Sequence, residues 1–180
     1  LRRQRQMCIR DRHCPLVKDY KRRSDNDKGP NTGGMGSISF QNGQMPFLTP
    51  YEVETLKQIN EQVCERNMFN NEEEPYIGVL YGSYMKTTSN ELKVIEFNVR
   101  LGDPEAINLL GLLQTDFCAL CLDMLSCNLH RTNLRFSNEN SKCVYVVPKT
   151  YPGSFLPINN DNINNIIELI GKNIDKTENN

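Results

Sequence analysis

Three polar residues near the middle of the chain could bind a metal ion and a phosphate. Glu96, Asn98 and Arg100 occupy alternate positions in a segment rich in β-branched and aromatic residues. In a β-strand these three side chains share one face, while Phe97 and Val99 point into the opposite layer. A carboxylate and a carboxamide supply the hard oxygens that Mg²⁺ prefers, and an arginine can hold a carboxylate or phosphoryl group. The alternative is the solvated face of an amphipathic strand.

The residues that follow this segment add two more carboxylates. Asp103 and Glu105 flank Pro104. An acidic residue followed by proline is typical of a helix start, so both carboxylates are expected near a helix N-terminus beside the strand. Asp103 could cap the helix, belong to a site, or do both.

A glycine-rich loop, KGPNTGGMG, occupies residues 28–36. It lacks the G-x-x-x-x-G-K-[ST] pattern of the Walker phosphate loop. Its glycines would let backbone N–H groups approach an anion closely. Most glycine-rich loops are only turns, so a simple turn is the alternative.

Cysteine and histidine offer little chemistry. The seven cysteines are an odd number without framework spacing, which favours a reducing setting. Cys118 and Cys121 have the spacing of a zinc or redox pair, but they lie in an apolar helical pattern and are expected to be buried thiols. The two histidines, His13 and His130, lie far apart and predict neither a metal site nor a nucleophile triad.

Local patterns predict the elements that must position these residues. A strand runs from residue 14 to about 22 into a polar loop over 24–44. The cap Thr49, followed by Pro50, predicts a helix to about residue 66, with Glu52 placed to reach back. Strands 76–86 and 92–100 are predicted to form a hairpin, and helices are predicted to begin at 103 and at Asp116, which caps the second helix as far as 127. A strand over 142–147, a turn at 152–153 and a helix over 161–170 follow.

Composition limits the kinds of partner. The 180 residues carry 22 Asp and Glu against 21 Lys and Arg, a net charge of -1, which gives no general electrostatic case for binding nucleic acid. The apolar runs fall short of the ~20 residues that span a bilayer. Residues 1–13 form an arginine-rich leader that we expect to be disordered or non-native; a nucleic-acid arm or a targeting segment is the alternative.

Four blocks of the sequence together resemble one enzyme family. They are residues 19–22 (DYKR), 27–36 (DKGPNTGGMG), 78–81 (GVLY) and 96–105 (EFNVRLGDPE). In order and spacing they are similar to the phosphoribosylamine-glycine ligase family of the ATP-grasp superfamily. The resemblance implies an α+β fold: the C-terminal half of an ATP-grasp domain, an antiparallel sheet with helices, over 14–128. The start of a small β-rich C-terminal domain over 140–180 would follow, because Tyr151-Pro152-Gly153 resembles its first turn.

The resemblance implies ATP-dependent joining of glycine to 5-phosphoribosylamine through a glycyl phosphate. Glu96 and Asn98 would then bind Mg²⁺ or Mn²⁺, and Arg100 would steady the glycine carboxylate or the acyl phosphate. Lys21 would lie at the reaction centre. The implied substrate-binding residues are Asp19, Arg22, Asn31, Thr32, Gly33, Gly34, Met35, Gly36, Asp103 and Glu105. The expected partners are glycine, 5-phosphoribosylamine and ATP, in a monomeric cytoplasmic enzyme without membrane or nucleic-acid partners.

Some positions depart from the family pattern. Tyr20 stands where histidine is usual, Leu101 where phenylalanine is usual, and Lys149-Thr150 where a glycine pair is usual. These departures bear on how the substrates are positioned and leave the implied reaction class unchanged. The first ATP-grasp half is missing before the first block, so we expect a fragment that turns over nothing alone. Two alternatives stay open: another ATP-grasp ligase, or a non-catalytic module whose basic leader binds nucleic acid.

Overall fold

The structure, a computed structural model, describes residues 12–65, 76–153, 163–165, 167 and 168. The strands are β1 (Lys18–Asp19), β2 (Arg22–Ser24), β3 (Lys28–Asn31), β4 (Gly36–Ser39), β5 (Tyr81–Lys86), β6 (Leu92–Asn98) and β7 (Ser141–Val144). The α-helices are α1 (Pro50–Glu65), α2 (Glu105–Leu112) and α3 (Phe117–Leu125), and short 3-10 helices occupy Gln41–Gly43 and Leu129–Arg131. This mixture of helices and antiparallel sheet confirms the predicted fold class.

The strands form three small sheets, β1-β4-β7, β2-β3 and β5-β6. The described residues divide into two compact units. The first unit lies within Leu1–Asp19 and Gly36–Cys143, and the second within Tyr20–Met35 and Val144–Asn180.

Helix α1 begins where its capping residues predict. The Thr49 N–H donates to Glu52 Oε2 at 2.7 Å, and the Glu52 N–H donates to Thr49 Oγ1 at 3.2 Å. Both N–H groups lack an acceptor within the helix, so the reciprocal pair of bonds forms a capping box. Within the helix Leu56 is buried.

The β5-β6 hairpin is confirmed, with both strands shorter than predicted. Its register shifts between Ser83, which pairs with Glu96, and Tyr84, which pairs with Val94, so Ile95 is an inserted residue. Strand β6 ends at Asn98, two residues before Arg100. Val99, expected in a buried layer, is 57% exposed because it lies beyond the end of the ladder.

The prediction of a loop over residues 24–44 is wrong. Strands β3 and β4 lie in it. The β2-β3 hairpin turns through Asn26 and Asp27, which adopt the left-handed conformation (φ 56° and 58°). All of its residues are exposed, so no hydrophobic alternation marks these strands in the sequence.

Helix α3 is capped as predicted but its thiols are not buried. Asp116 Oδ1 accepts from the Ala119 N–H at 2.7 Å. Cys118 is exposed and Cys121 half-buried, so the expectation of buried core thiols is wrong. The apolar face that predicted their burial is largely uncovered, since Leu122 and Leu125 are also exposed.

The core of the first unit contains small and polar side chains. Asn108 of α2 is fully buried between β4 and β7. Its Oδ1 accepts from the Ser37 hydroxyl, and its Nδ2 donates to Ser141 O at 2.9 Å. The small serines of β4 let α2 approach closely, and Ser39 donates to Leu16 O at 3.0 Å. Tertiary hydrogen bonds therefore stabilise a strand that has almost no apolar side chains.

The predicted leader and terminal helix fall mostly on undescribed residues. Of the leader, residues 1–11 lie outside the described part; Arg12 Nη2 donates to His130 O at 2.6 Å, and His13 Nε2 lies 2.9 Å from Glu61 Oε1. Residues 163–165, 167 and 168 are helical, and the rest of the helix predicted over 161–170 lies outside the described residues. Strand β7 overlaps the strand predicted over 142–147.

Across the described residues, no helix combines the length and the apolar character that a membrane span requires.

Candidate functional site

Strand β6 carries Glu96 and Asn98 on one face. From the inserted Ile95 to the end of β6 the pairing is regular, with Glu96 opposite Ser83 and Asn98 opposite Tyr81. Residues two apart on a regular strand share a face, and residues opposite each other across a ladder share it too. Two hydroxyl groups of β5 therefore accompany the carboxylate and the carboxamide of β6.

The amide nitrogen of the Asn98 side chain is unbonded among the described residues. This atom, Nδ2, is also buried. The oxygen and nitrogen of a carboxamide can exchange places by rotation about the last side-chain bond. Such a rotation would direct an oxygen to that position, so this end of Asn98, together with the exposed Glu96 carboxylate, fits a hard cation that takes oxygen ligands.

Elsewhere the acidic residues do not form a protein-only metal site. Within the described ranges, no three His, Cys, Asp or Glu side chains converge so as to hold a metal ion. A pair made of one carboxylate and one carboxamide suits Mg²⁺, which commonly takes one or two carboxylates and completes its shell with water and substrate phosphates.

Arg100 lies in the bend that follows β6. Its Nη1 donates to Leu101 O at 2.9 Å, and the side chain is exposed. Because β6 ends at Asn98, strand alternation does not set the direction of Arg100, and the reasoning that placed it beside Glu96 and Asn98 does not apply. A guanidinium has five N–H donors, so the bond to Leu101 leaves capacity for an anion.

The loop into α2 places its two carboxylates differently. Asp103 is exposed, whereas Glu105, the first residue of α2, is only 4% exposed. Pro104 occupies the N-cap position and no side chain caps the helix, so of the alternatives left open for Asp103 the structure excludes capping. The Glu105 carboxylate lies at the positive end of the helix dipole, which stabilises the N-terminus without a cap.

Tyr81 is a site residue to which sequence reasoning assigned no role. Its hydroxyl donates to Glu105 Oε1 at 2.8 Å. Burial raises the pKa of Tyr81, the Glu105 carboxylate and the nearby Asp19 raise it further, and a hydrogen bond with Ser83 acts in the opposite sense. The structure thus brings Asp19 of β1 and Glu105 of α2 to one tyrosine. Tyr81 ends the GVLY block over residues 78–81, so the family resemblance marks the position, but no local pattern indicates its bond to Glu105.

Gly102 completes the packing around Glu105. A Cβ atom at this position would lie 2.6 Å from Glu105 Oε2 and 2.9 Å from Tyr81 Cε2. These distances are shorter than van der Waals contact, so the backbone comes this close because residue 102 has no side chain.

The second unit holds the glycine-rich loop and Lys21. Lys21 Nζ donates to Gly33 O at 3.1 Å, and the Thr32 N–H donates back to Lys21 O at 2.8 Å. Thr32 Oγ1 accepts from the Gly34 N–H at 3.1 Å, while the Gly33 N–H donates to the Tyr151 hydroxyl at 3.2 Å. The loop is therefore anchored at both Lys21 and Tyr151.

The remaining predicted substrate residues lie around that loop. Arg22 pairs with Asn31 across the β2-β3 hairpin, and its Nη1 donates to Gly29 O at 2.9 Å. The Met35 carbonyl accepts from the Tyr145 N–H at 3.0 Å. Gly36 is buried at the start of β4, in the first unit. The predicted site residues thus form two groups, one around Tyr81 in the first unit and one around Lys21 in the second.

Comparison with known proteins gives one consistent family. The family model described as phosphoribosylglycinamide synthetase, ATP-grasp (A) domain, matches residues 9–106. The chain is 42% identical over 160 residues to a phosphoribosylamine–glycine ligase of Methanococcus vannielii, covering 87% of this chain and 35% of that protein. It is 44% identical over 138 residues to one from Methanococcus maripaludis strain C5, covering 77% of this chain and 30% of that protein.

A solved structure agrees with these sequences. The chain resembles the crystal structure of phosphoribosylamine–glycine ligase from Thermotoga maritima with a TM-score of 0.56 and 28% identity, covering 77% of this chain and 33% of that chain. The chain spans about a third of the length of the curated relatives that it matches.

Proposed function

We propose a function that starts from the family: the chain belongs to the phosphoribosylglycinamide synthetase ATP-grasp (A) domain family. A protein that contains this chain would join glycine to 5-phosphoribosylamine at the expense of ATP, through a glycyl phosphate, giving glycinamide ribonucleotide, ADP and phosphate. The observation that carries the proposal is the placement of Glu96 and Asn98 on one face of β6, directly before the loop and helix that bear Asp103 and Glu105.

Glu96 and Asn98 are the proposed ligands of Mg²⁺ or Mn²⁺. The exposed carboxylate and the carboxamide with a buried, unbonded end support this assignment. A bound ion would neutralise charge on the phosphate oxygens of ATP, which is where phosphoryl transfer gains much of its catalysis. The two residues fix the place of that charge because β6 is paired on one side by β5.

Arg100 and Lys21 are the proposed catalytic cations. The exposed Arg100 guanidinium can hold a carboxylate or an acyl phosphate in a fork of two hydrogen bonds. Lys21, fixed against the Gly33 carbonyl, places an ammonium beside the glycine-rich loop. An ammonium has three N–H donors, so it can also bind an anionic group such as a phosphate.

The other predicted residues are proposed to bind the two amine substrates. A carboxylate suits the glycine ammonium; of the two implied substrate-binding carboxylates, Asp103 is accessible, whereas Glu105 is buried against Tyr81. Asp19 supplies a further carboxylate near Tyr81. Arg22 and residues 31–36 are proposed to line the phosphoribosylamine pocket, because the exposed Arg22 guanidinium can hold its phosphate.

The cellular location and the oligomeric state are also proposed from the family. Dependence on ATP favours a cytoplasmic enzyme, and we propose that it is a monomer. Residues 140–180 are proposed to begin a C-terminal domain, with the turn at Tyr151-Pro152-Gly153 as its first feature; the Gly153 N–H donates to Thr150 O at 2.7 Å in that turn. The family match begins at residue 9, so residues 1–8 are proposed to lie outside the enzyme domain.

A chimera tests the reaction. The aligned segment of the Methanococcus vannielii ligase is replaced by this chain, and release of ADP and phosphate is measured. We expect ATP consumption only when glycine and 5-phosphoribosylamine are both present. ATP consumption with a different acid or amine would indicate another ATP-grasp ligase. Salt-sensitive RNA binding that depends on residues 1–13, without any ATP consumption, would favour the binding module.

Substitution of the proposed ligands tests the site. In the chimera, Glu96→Ala and Asn98→Ala are each expected to lower kcat by roughly a hundredfold or more, because charge stabilisation at the transferring phosphoryl group is lost. Glu91→Ala is the matched control, since Glu91 is exposed on the same hairpin and pairs with Lys93. Full activity of Glu96→Ala would refute the metal assignment.

A further inference from the structure

Tyr81 lies at the end of the β5-β6 ladder, directly opposite Asn98. Opposite side chains on an antiparallel ladder share a face and stand about 5 Å apart at their Cβ atoms. Ser83 stands opposite Glu96 in the same way. Each proposed metal ligand on β6 therefore has a hydroxyl-bearing neighbour on β5.

The Tyr81 hydroxyl also reaches a different element. It donates at 2.8 Å to Glu105, which begins α2 and is only 4% exposed. The other carboxylate oxygen, Oε2, is buried and accepts no hydrogen bond within the described residues. Without the Tyr81 donor the Glu105 carboxylate would be buried with neither oxygen bonded, which is costly for a charged group. The two residues are therefore expected to hold their positions together.

Gly102 lets Glu105 and the Tyr81 ring pack closely against the backbone. A single added methyl group there would overlap Glu105 and the Tyr81 ring. The hydrogen bond from the Tyr81 hydroxyl to Glu105 therefore connects β5 to the start of α2.

From this geometry we infer that Tyr81 is a positioning residue of the metal site, joining the Asn98 end of the hairpin to the first residue of α2. The inference rests on the proposed function, which makes Glu96 and Asn98 the metal ligands. Tyr81 acts through Asn98, its ladder partner, and holds that carboxamide at a fixed place relative to α2.

The test compares two tyrosines of the same strand. Tyr81→Phe removes the bond to Glu105, and Tyr84→Phe removes a comparable bond to Asn60 Oδ1 (2.6 Å) that leads to α1 instead. Mn²⁺ is titrated into the 180-residue chain, with and without ATP, and line broadening of the amide resonances of residues 96 and 98 is followed. We expect Tyr81→Phe to weaken Mn²⁺ binding about tenfold, as loss of an outer-shell partner commonly does. Tyr84→Phe should stay within about twofold of the unsubstituted chain.

A second pair of variants covers the case in which Tyr81→Phe fails to fold. Glu105→Gln keeps a carbonyl oxygen that can accept from Tyr81 and should retain most of the affinity, whereas Glu105→Ala should lose it. Equal affinity in Tyr81→Phe and the unsubstituted chain, or an equal loss in Tyr84→Phe, overturns the inference.

The proposed function can fail separately. If Mn²⁺ broadens no resonance at residues 96 and 98 of the unsubstituted chain, the metal assignment is refuted. The side-chain amide resonance of Asn98 then decides, independently of any metal, whether Tyr81 positions that carboxamide. Tyr81→Phe or Glu105→Ala must shift that resonance and Tyr84→Phe must leave it in place, and an unshifted resonance overturns the inference.

Discussion

At the scale of single residues, the candidate site depends on close approach as much as on charge. The Glu105 carboxylate occupies the space in which a residue 102 side chain would stand, and Tyr81 closes the other side. A glycine in this loop is therefore a packing requirement. A bulkier residue at position 102 would displace Glu105, the last residue of the charged and polar pattern that suggests the site.

Gly102→Ala is expected to destabilise the first unit by about 1–3 kcal/mol, the usual cost of overpacking, because the new methyl group overlaps Glu105 and Tyr81. Denaturant unfolding measures the change. The matched control is Gly111→Ala, at an open position near the end of α2, where no atom lies within 4 Å of the added Cβ. That control should raise the stability by about 0.5–1 kcal/mol, as alanine does in helices. Equal stability of the two variants would contradict the packing argument.

At the scale of elements, Glu52 joins α1 to β5. Besides its part in the capping box, its Oε1 lies 2.9 Å from Lys86 Nζ. The hydrogen bond from the Thr49 N–H and then that from Lys86 lower the pKa of Glu52 below its usual value of 4.5. A carboxylate whose pKa is lower in the folded state stabilises the fold above its unfolded pKa, and this contribution is lost as the pH falls through the folded pKa.

Glu52→Gln is therefore expected to be less stable than the unsubstituted chain at pH 7. The difference in the free energy of unfolding should shrink as the pH falls below about 4.5 and disappear below the lowered folded-state pKa. Urea unfolding at a series of pH values measures it. Glu54→Gln serves as the control, since Glu54 contacts only its helix neighbours Lys57 and Gln58 among the bonds described for it. A difference that stays constant with pH would refute the assignment to Glu52.

At the scale of the whole molecule, one buried carboxamide connects segments that are distant in sequence. Asn108 bonds to Ser37 of β4 and Ser141 of β7, which lie 71 and 33 residues away. These contacts hold α2, and with it the loop bearing Asp103, against the sheet of the first unit. The large share of polar groups in this core makes its stability depend on hydrogen-bond completeness.

Asn108→Ala is expected to lower the free energy of unfolding by at least about 2 kcal/mol, because each buried group left without a partner costs about 1–3 kcal/mol. Guanidinium unfolding measures the loss. Gln114→Ala, at an exposed position just after α2, should change it by less than about 0.5 kcal/mol. A small effect of Asn108→Ala would show that water replaces the lost bonds.

Local patterns accounted for much of the fold. The capping residues predicted the starts of α1 and α3, and alternation predicted the β5-β6 hairpin, because caps and strand periodicity depend on residues close together in the chain. The β2-β3 hairpin and β4 were missed since their residues are charged, glycine or serine. Exposure of Cys118 was missed because a helical pattern specifies an apolar face but not what covers it.

The sequence alone determined the kinds of group at the candidate site: one carboxylate, one carboxamide and one guanidinium at alternate positions, followed by two further carboxylates. Tertiary structure alone decided which of them are accessible and what holds them. It buried Glu105 against Tyr81, left Asp103 exposed and ended β6 before Arg100. The physical reason is that residue type and spacing act over a few positions, whereas burial and hydrogen-bond partners depend on segments that meet only after folding.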